Sequence, residues 1–128
     1  QRRFDLPVLA AAEGAPFNVL HVCGADTLFE EFVDYPVQAF SWAPAPGNPT
    51  LREGHRRTGR AVLGGLPAKP EFARLTPAAV AERAWAAVAD MGGRSLLLGP
   101  GCSIDPETPD PLLHAARAAI LSPREGSR

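Results

Sequence analysis

Four short apolar runs punctuate the chain, and each gives way to turn residues and then to a stretch of helical or loop character. They are Phe17-Asn18-Val19-Leu20-His21-Val22-Cys23, Val37-Gln38-Ala39-Phe40-Ser41-Trp42, Ala61-Val62-Leu63-Gly64-Gly65 and Ser95-Leu96-Leu97-Leu98. Each has the length of a strand and turn residues at its ends. Between them the period changes. Leu28, Phe29 and Phe32 share one side of a predicted helix over Asp26 to Val33, with Asp26 as its cap. Pro49 to Arg60 also reads as helical. Thr76 and Pro77 have the cap and first-turn chemistry of a helix start. The apolar positions Val80, Ala84, Trp85, Val88 and Met91 follow, and Gly92-Gly93 ends the element. Asp110-Pro111 repeats the start signal for a last helix, with Leu112, Leu113, Ala116 and Ile120 as the expected buried stripe. Strand alternating with helix predicts an α/β fold of about four parallel βα units. Such units make either a small open sheet or half of a closed (β/α)8 barrel, which needs about 250 residues.

Composition narrows this picture. The 128 residues suit one domain, and 45% hydrophobic with 21% charged residues is ordinary for a globular protein. The fourteen prolines and twelve glycines fall at turns, so they read as punctuation and not as a disordered tract. A net charge of −1 gives no field that would draw the chain to nucleic acid or to a membrane surface. No apolar run approaches the roughly 20 residues of a bilayer span. The opening Gln1-Arg2-Arg3-Phe4-Asp5 lacks the apolar core of a secretory signal and reads as the end of a helix. The chain is therefore expected to be a piece of something longer. It is expected to be cytoplasmic, with its two cysteines reduced, although one disulfide between them is the other arrangement the count allows.

Those cysteines carry the candidate chemistry. His21 and Cys23 are two apart on a predicted strand, so their side chains share a face, and Gly24 turns the chain immediately afterwards. The pair projects at the C-terminal edge of a parallel strand, where open α/β sheets and barrels place their active sites. Cys102 follows the fourth run through Gly99-Pro100-Gly101 and reaches the same edge. One imidazole and two thiolates suit a single tetrahedral Zn²⁺, and three protein ligands leave a fourth position for water or substrate. The bland alternative is that both cysteines are small apolar fillers.

Several segments resemble the uroporphyrinogen decarboxylase family. They are His21-Val22-Cys23-Gly24, Ser41-Trp42, Asn48-Pro49, Ala61-Val62-Leu63-Gly64-Gly65-Leu66 and Gly99-Pro100-Gly101-Cys102-Ser103-Ile104-Asp105-Pro106-Glu107-Thr108-Pro109. The resemblance runs from about Phe17 to Ile120. It implies strands five to eight of a (β/α)8 TIM-type barrel, so that residues 1–128 form a partial domain. Decarboxylases of the family carry a Gly-His-Gly turn near the last strand. Cys102 falls about where that histidine belongs, and Gly64-Gly65-Leu66-Pro67 replaces another decarboxylase segment. The chain is closer to the branch of methyltransferases that move a methyl group from a corrinoid (cobalamin) protein to a thiol such as coenzyme M. Those enzymes hold zinc through His-x-Cys and a later Cys, which implies His21, Cys23 and Cys102 as ligands here. The implied partners are a thiol substrate, a methylcorrinoid protein as methyl donor, and the missing barrel half or a second copy. The alternatives are a decarboxylase in the strict sense, or a split barrel active only with a partner half.

Other residues are read more plainly. Arg52, Arg56 and Arg60 share a helix face, expected to be solvated and to include a Glu53–Arg57 pair. Trp42 is either core or a substrate-binding residue at the mouth of the site. Trp85 is expected in the core and His114 on the surface or in packing. Asp105 and Glu107 are expected in turn and cap roles.

Overall fold

The structure, a computed structural model, describes residues 1–122. Helix α1 (Arg2–Ala11) precedes β1 (Val19–Val22) and β2 (Ala39–Trp42). Then come α2 (Leu51–Thr58), β3 (Ala61–Leu66), α3 (Pro77–Asp90), β4 (Leu96–Pro100) and α4 (Asp110–Leu121). The strands form one sheet in the order β1-β2-β3-β4, every neighbour parallel. This is the α/β architecture expected, four parallel strands with α-helices after β2, β3 and β4, arranged as half of a TIM-type barrel.

Strand alternation divides the sheet into two faces. Register places Leu20, Phe40, Val62 and Leu96 side by side, and all four belong to one apolar cluster with Phe29, Tyr35, Val37 and Trp42. Burial of each large side chain in this row contributes about 1.5–3 kcal/mol. A second cluster joins Leu66, Phe72, Val80, Ala84, Leu112 and Ala119, where α3 and α4 pack beside the end of β3. The opposite face carries the row His21, Ser41, Leu63 and Leu97. Here Val19 is 43% and Leu97 38% exposed.

Local chemistry sets most element ends. Thr50 and Glu53 form a reciprocal capping box at the start of α2, and Gly59 closes that helix in the left-handed conformation. The Thr76 hydroxyl accepts from the Ala79 N–H at 3.2 Å, with Pro77 in the first turn of α3. Gly92 and Gly93 follow this helix at positive φ.

Three expectations are corrected. No helix spans Asp26 to Val33; only a 3₁₀ turn at Phe29–Glu31 forms. Asp26 and Leu28 both take φ of 51°, in the left-handed region, and the Thr27 N–H donates to Asn48 Oδ1 at 3.0 Å instead of entering a helix. Asp26 therefore caps nothing. Glu53 serves the capping box, and Arg57 pairs with Glu30 at 2.7 Å, so the Glu53–Arg57 pair gives way to a contact between elements. In α4 the buried residues are Leu112 and Ala119, while Leu113 and Ile120 are exposed. The packed stripe runs through Leu112, Ala115, Ala116 and Ala119 because small side chains let α4 approach Ala84 and Trp85 of α3.

Candidate metal centre

Neighbouring strands lie about 4.8 Å apart, so a flat sheet would hold β1 and β4 about 14 Å from each other. The segment after β4 closes that distance by folding back across the strand ends. The Gly101 N–H donates to Leu66 O at the end of β3, at 3.0 Å. A Cβ at Gly101 would lie 2.8 Å from each of Trp42 O, the Ala43 Cα and the Pro44 Cδ at the end of β2. Only glycine passes this close to backbone. Cys102 is thereby delivered to the C-terminal end of β1.

There Cys102 Sγ lies 3.9 Å from Cys23 Sγ, and a ligand atom from each of His21, Cys23 and Cys102 falls within 4.8 Å of the others. Both cysteines are free thiols. His21 and Cys23 are exposed and Cys102 is half-buried. At zinc–sulfur bonds of about 2.3 Å, two sulfurs on a tetrahedron sit about 3.8 Å apart. The thiol pair thus already has the spacing of two tetrahedral ligands. The widest spacing exceeds a zinc tetrahedron's edge by about 1 Å, a distance within the reach of side-chain rotation. The donor set fits Zn²⁺.

The imidazole is oriented from β2. His21 and Ser41 are register partners, and His21 Nδ1 lies 3.2 Å from Ser41 Oγ. Ser41 is buried and fixed in the middle of the sheet. This contact leaves Nε2 as the ring nitrogen open to a metal. Asn48 steadies the turn behind Cys23. Its amide donates to Gly24 O and to Ala43 O, both at 2.9 Å, and its oxygen accepts from Thr27. The loops after β1 and β2 are joined through this one side chain.

The surroundings of Cys102 act on its thiol. The Ser103 backbone N–H directed at its sulfur holds the thiol below its ordinary range. Partial burial opposes this, while contacts from Cys23 and the Ser103 hydroxyl and the charge of Lys69 add to it. An open hollow of about 380 Å³ lies alongside, lined by His21, Ser41, Leu63, Pro100, Cys102 and Ser103.

All three expected donors therefore converge. Trp42 is directed elsewhere. It is buried on the helix-facing side, its indole N–H donates to Pro49 O at 2.8 Å, and its ring packs edge-on against Phe29. It lines no part of this hollow, so of the two roles weighed for it the packing one is observed. Asp105 holds a turn, accepting from the Glu107 N–H at 3.0 Å. His114 is exposed on α4. Ser41 and Asn48 were not singled out as supports. A buried serine one register position from a candidate histidine is the signal for the first, and it needs the strand pairing to be seen.

Among known proteins, no family model matches the sequence, and no curated protein matches it. A solved structure does. It is a methyltransferase from Methanosarcina mazei, with a TM-score of 0.70 and 23% sequence identity. The match covers 86% of this chain and 32% of that one. The fold is that of the matched part of this structure. This chain spans about a third of the length of that structure, and at this identity the likeness concerns the fold alone. Among the described residues no helix is long and apolar enough to cross a membrane.

Proposed function

We propose that the chain is the metal-bearing part of a zinc-dependent methyltransferase that passes a methyl group to a thiol. The observation that carries this reading is the convergence of His21, Cys23 and Cys102 within 4.8 Å, although Cys23 and Cys102 are 79 residues apart in sequence. When bound there, Zn²⁺ would favour the thiolate form of an incoming thiol. Cys23 and Cys102 as thiolates, with a neutral His21, balance its charge. Ser41 engages Nδ1, which leaves Nε2 as the nitrogen that would bind the metal. The open hollow beside Cys102 admits the thiol, whose sulfur forms a bond to the methyl carbon as the donor's bond to that carbon breaks. The resemblance to the uroporphyrinogen decarboxylase family's methyltransferase branch makes a methylcorrinoid protein the donor. The fold of the Methanosarcina mazei neighbour agrees with methyl transfer and says nothing of metal or donor.

The uncovered sheet face supports a further part of this reading. Val19, His21 and Leu97 are exposed on it, and β1 and β4 are open edges. Four more βα units would cover that face and complete a barrel around the site, so the chain acts as a partial domain.

Zinc per chain, measured on purified reduced protein by elemental analysis, tests the metal. The expected result is about one ion in the wild type and a loss of most of it in Cys102→Ala, with unchanged circular dichroism. Wild-type protein that stays folded and reduced yet holds no zinc would remove the proposal.

A further inference from the structure

The two thiols of the candidate site are also within reach of each other. Cys23 Sγ and Cys102 Sγ lie 3.9 Å apart, and both are free. A disulfide holds its sulfurs about 2.05 Å apart, so the pair needs to approach by about 2 Å. The surroundings divide this movement unequally. Gly101, next to Cys102, is clamped: a Cβ there would lie 2.8 Å from Trp42 O, and its N–H is held by Leu66 O. Gly24, next to Cys23, stands at φ +100°, and a Cβ there would meet nothing within 4 Å. Cys23 is exposed, whereas Cys102 is half-buried. The sulfur that a solute reaches first is thus the one beside open space, and its partner stands on a fixed segment.

We infer that Cys23 and Cys102 are a reversible dithiol–disulfide pair, which a small disulfide of the glutathione class oxidises. The Cys23 thiolate attacks one sulfur of that reagent, forms a mixed disulfide and expels the first small thiol. The Cys102 thiolate then attacks the Cys23 sulfur and expels the second. Two electrons pass from the protein to the reagent, and the two protons of the protein thiols leave on the two small thiols. An excess of small thiol runs both steps backward. Oxidation consumes two of the three donors of the site and leaves His21 alone. That it releases Zn²⁺, unchanged in charge, rests on the proposed function. That the two sulfurs join rests on their placement alone.

The test starts from metal-free reduced protein, so its failure is separable from that of the zinc reading. The protein is equilibrated in buffers of oxidised and reduced glutathione, quenched by alkylation and mapped by peptide mass spectrometry. The expected product is a Cys23–Cys102 linkage within one chain. At a fixed glutathione ratio, linked over reduced protein is expected to be about 10–100-fold higher in the native state than in denaturant, where the sulfurs must find each other across 79 residues. Cys102→Ala is expected to stop at a glutathione adduct on Cys23. A persistent adduct on wild-type Cys23, linkage only between chains, or a native ratio no higher than the unfolded one overturns the inference. Zinc content is then compared in reduced and oxidised wild type. About one ion in the reduced form and none in the oxidised form supports both readings. Linkage in a protein that binds no zinc when reduced removes the metal and leaves the pair standing.

Discussion

The two faces of the sheet are built from the same four strands and the same register, yet they have almost nothing else in common. On one face Leu20, Phe40, Val62 and Leu96 lie in a continuous apolar row within a cluster that includes Trp42 and Phe29. On the other, His21, Ser41, Leu63 and Leu97 form a row that mixes polar groups with exposed apolar ones. A strand changes face at every residue, so neighbours in sequence are divided between the two tasks. Ser41 orients the candidate ligand while Phe40 and Trp42, on either side of it, fill the core. Stability and chemistry are thereby separable by substitution.

The largest effect is expected on the helix-facing side. Trp42→Ala removes a ring that is 1% exposed and packed against Phe29, and should cost about 3–5 kcal/mol, read from equilibrium denaturation. A loss below 1 kcal/mol would show that this cluster does not hold the sheet. An intermediate effect is expected from Ser41→Ala on the other face. It deletes the partner of His21 Nδ1 and should weaken zinc binding about 10–100-fold in a competition titration, with little change in unfolding. If stability fell and affinity did not, Ser41 would belong with the core. The smallest effect is expected from Leu97→Ser. This residue is 38% exposed, and the substitution should change stability by no more than about 0.5 kcal/mol in the isolated chain. A large loss would mean that the face is already covered, for example in a dimer, and sizing in solution would then show it.

What could be read from the sequence follows the range of the interactions involved. The α3 boundaries were legible because Thr76, Pro77 and Gly92-Gly93 act within a turn or two of themselves. His21 and Cys23 were legible as a pair because alternation along one strand is local. The segment from Asp26 to Val33 was not, since its left-handed residues flank Thr27, whose N–H is held by Asn48 in another loop. The α4 stripe was displaced by a packing requirement: alanines face α3, and the larger Leu113 and Ile120 turn outward. Trp42 remained open between two roles because its hydrophobicity suits a pocket as well as a core, and only the register assigns its side. The support from Ser41 was not legible because it depends on which strands become neighbours.

The return of the segment after β4 across the sheet has a consequence for biosynthesis. Two of the three donors leave the ribosome together, and the third follows 79 residues behind the second. At about 5–20 residues per second, the interval is about 4–16 s. During that time the nascent polypeptide presents an unfinished His-x-Cys pair, too poor in ligands to retain an ion against cellular chelators. Under the proposed metal reading, loading would await the last strand, and the ion would clasp the first unit to the fourth.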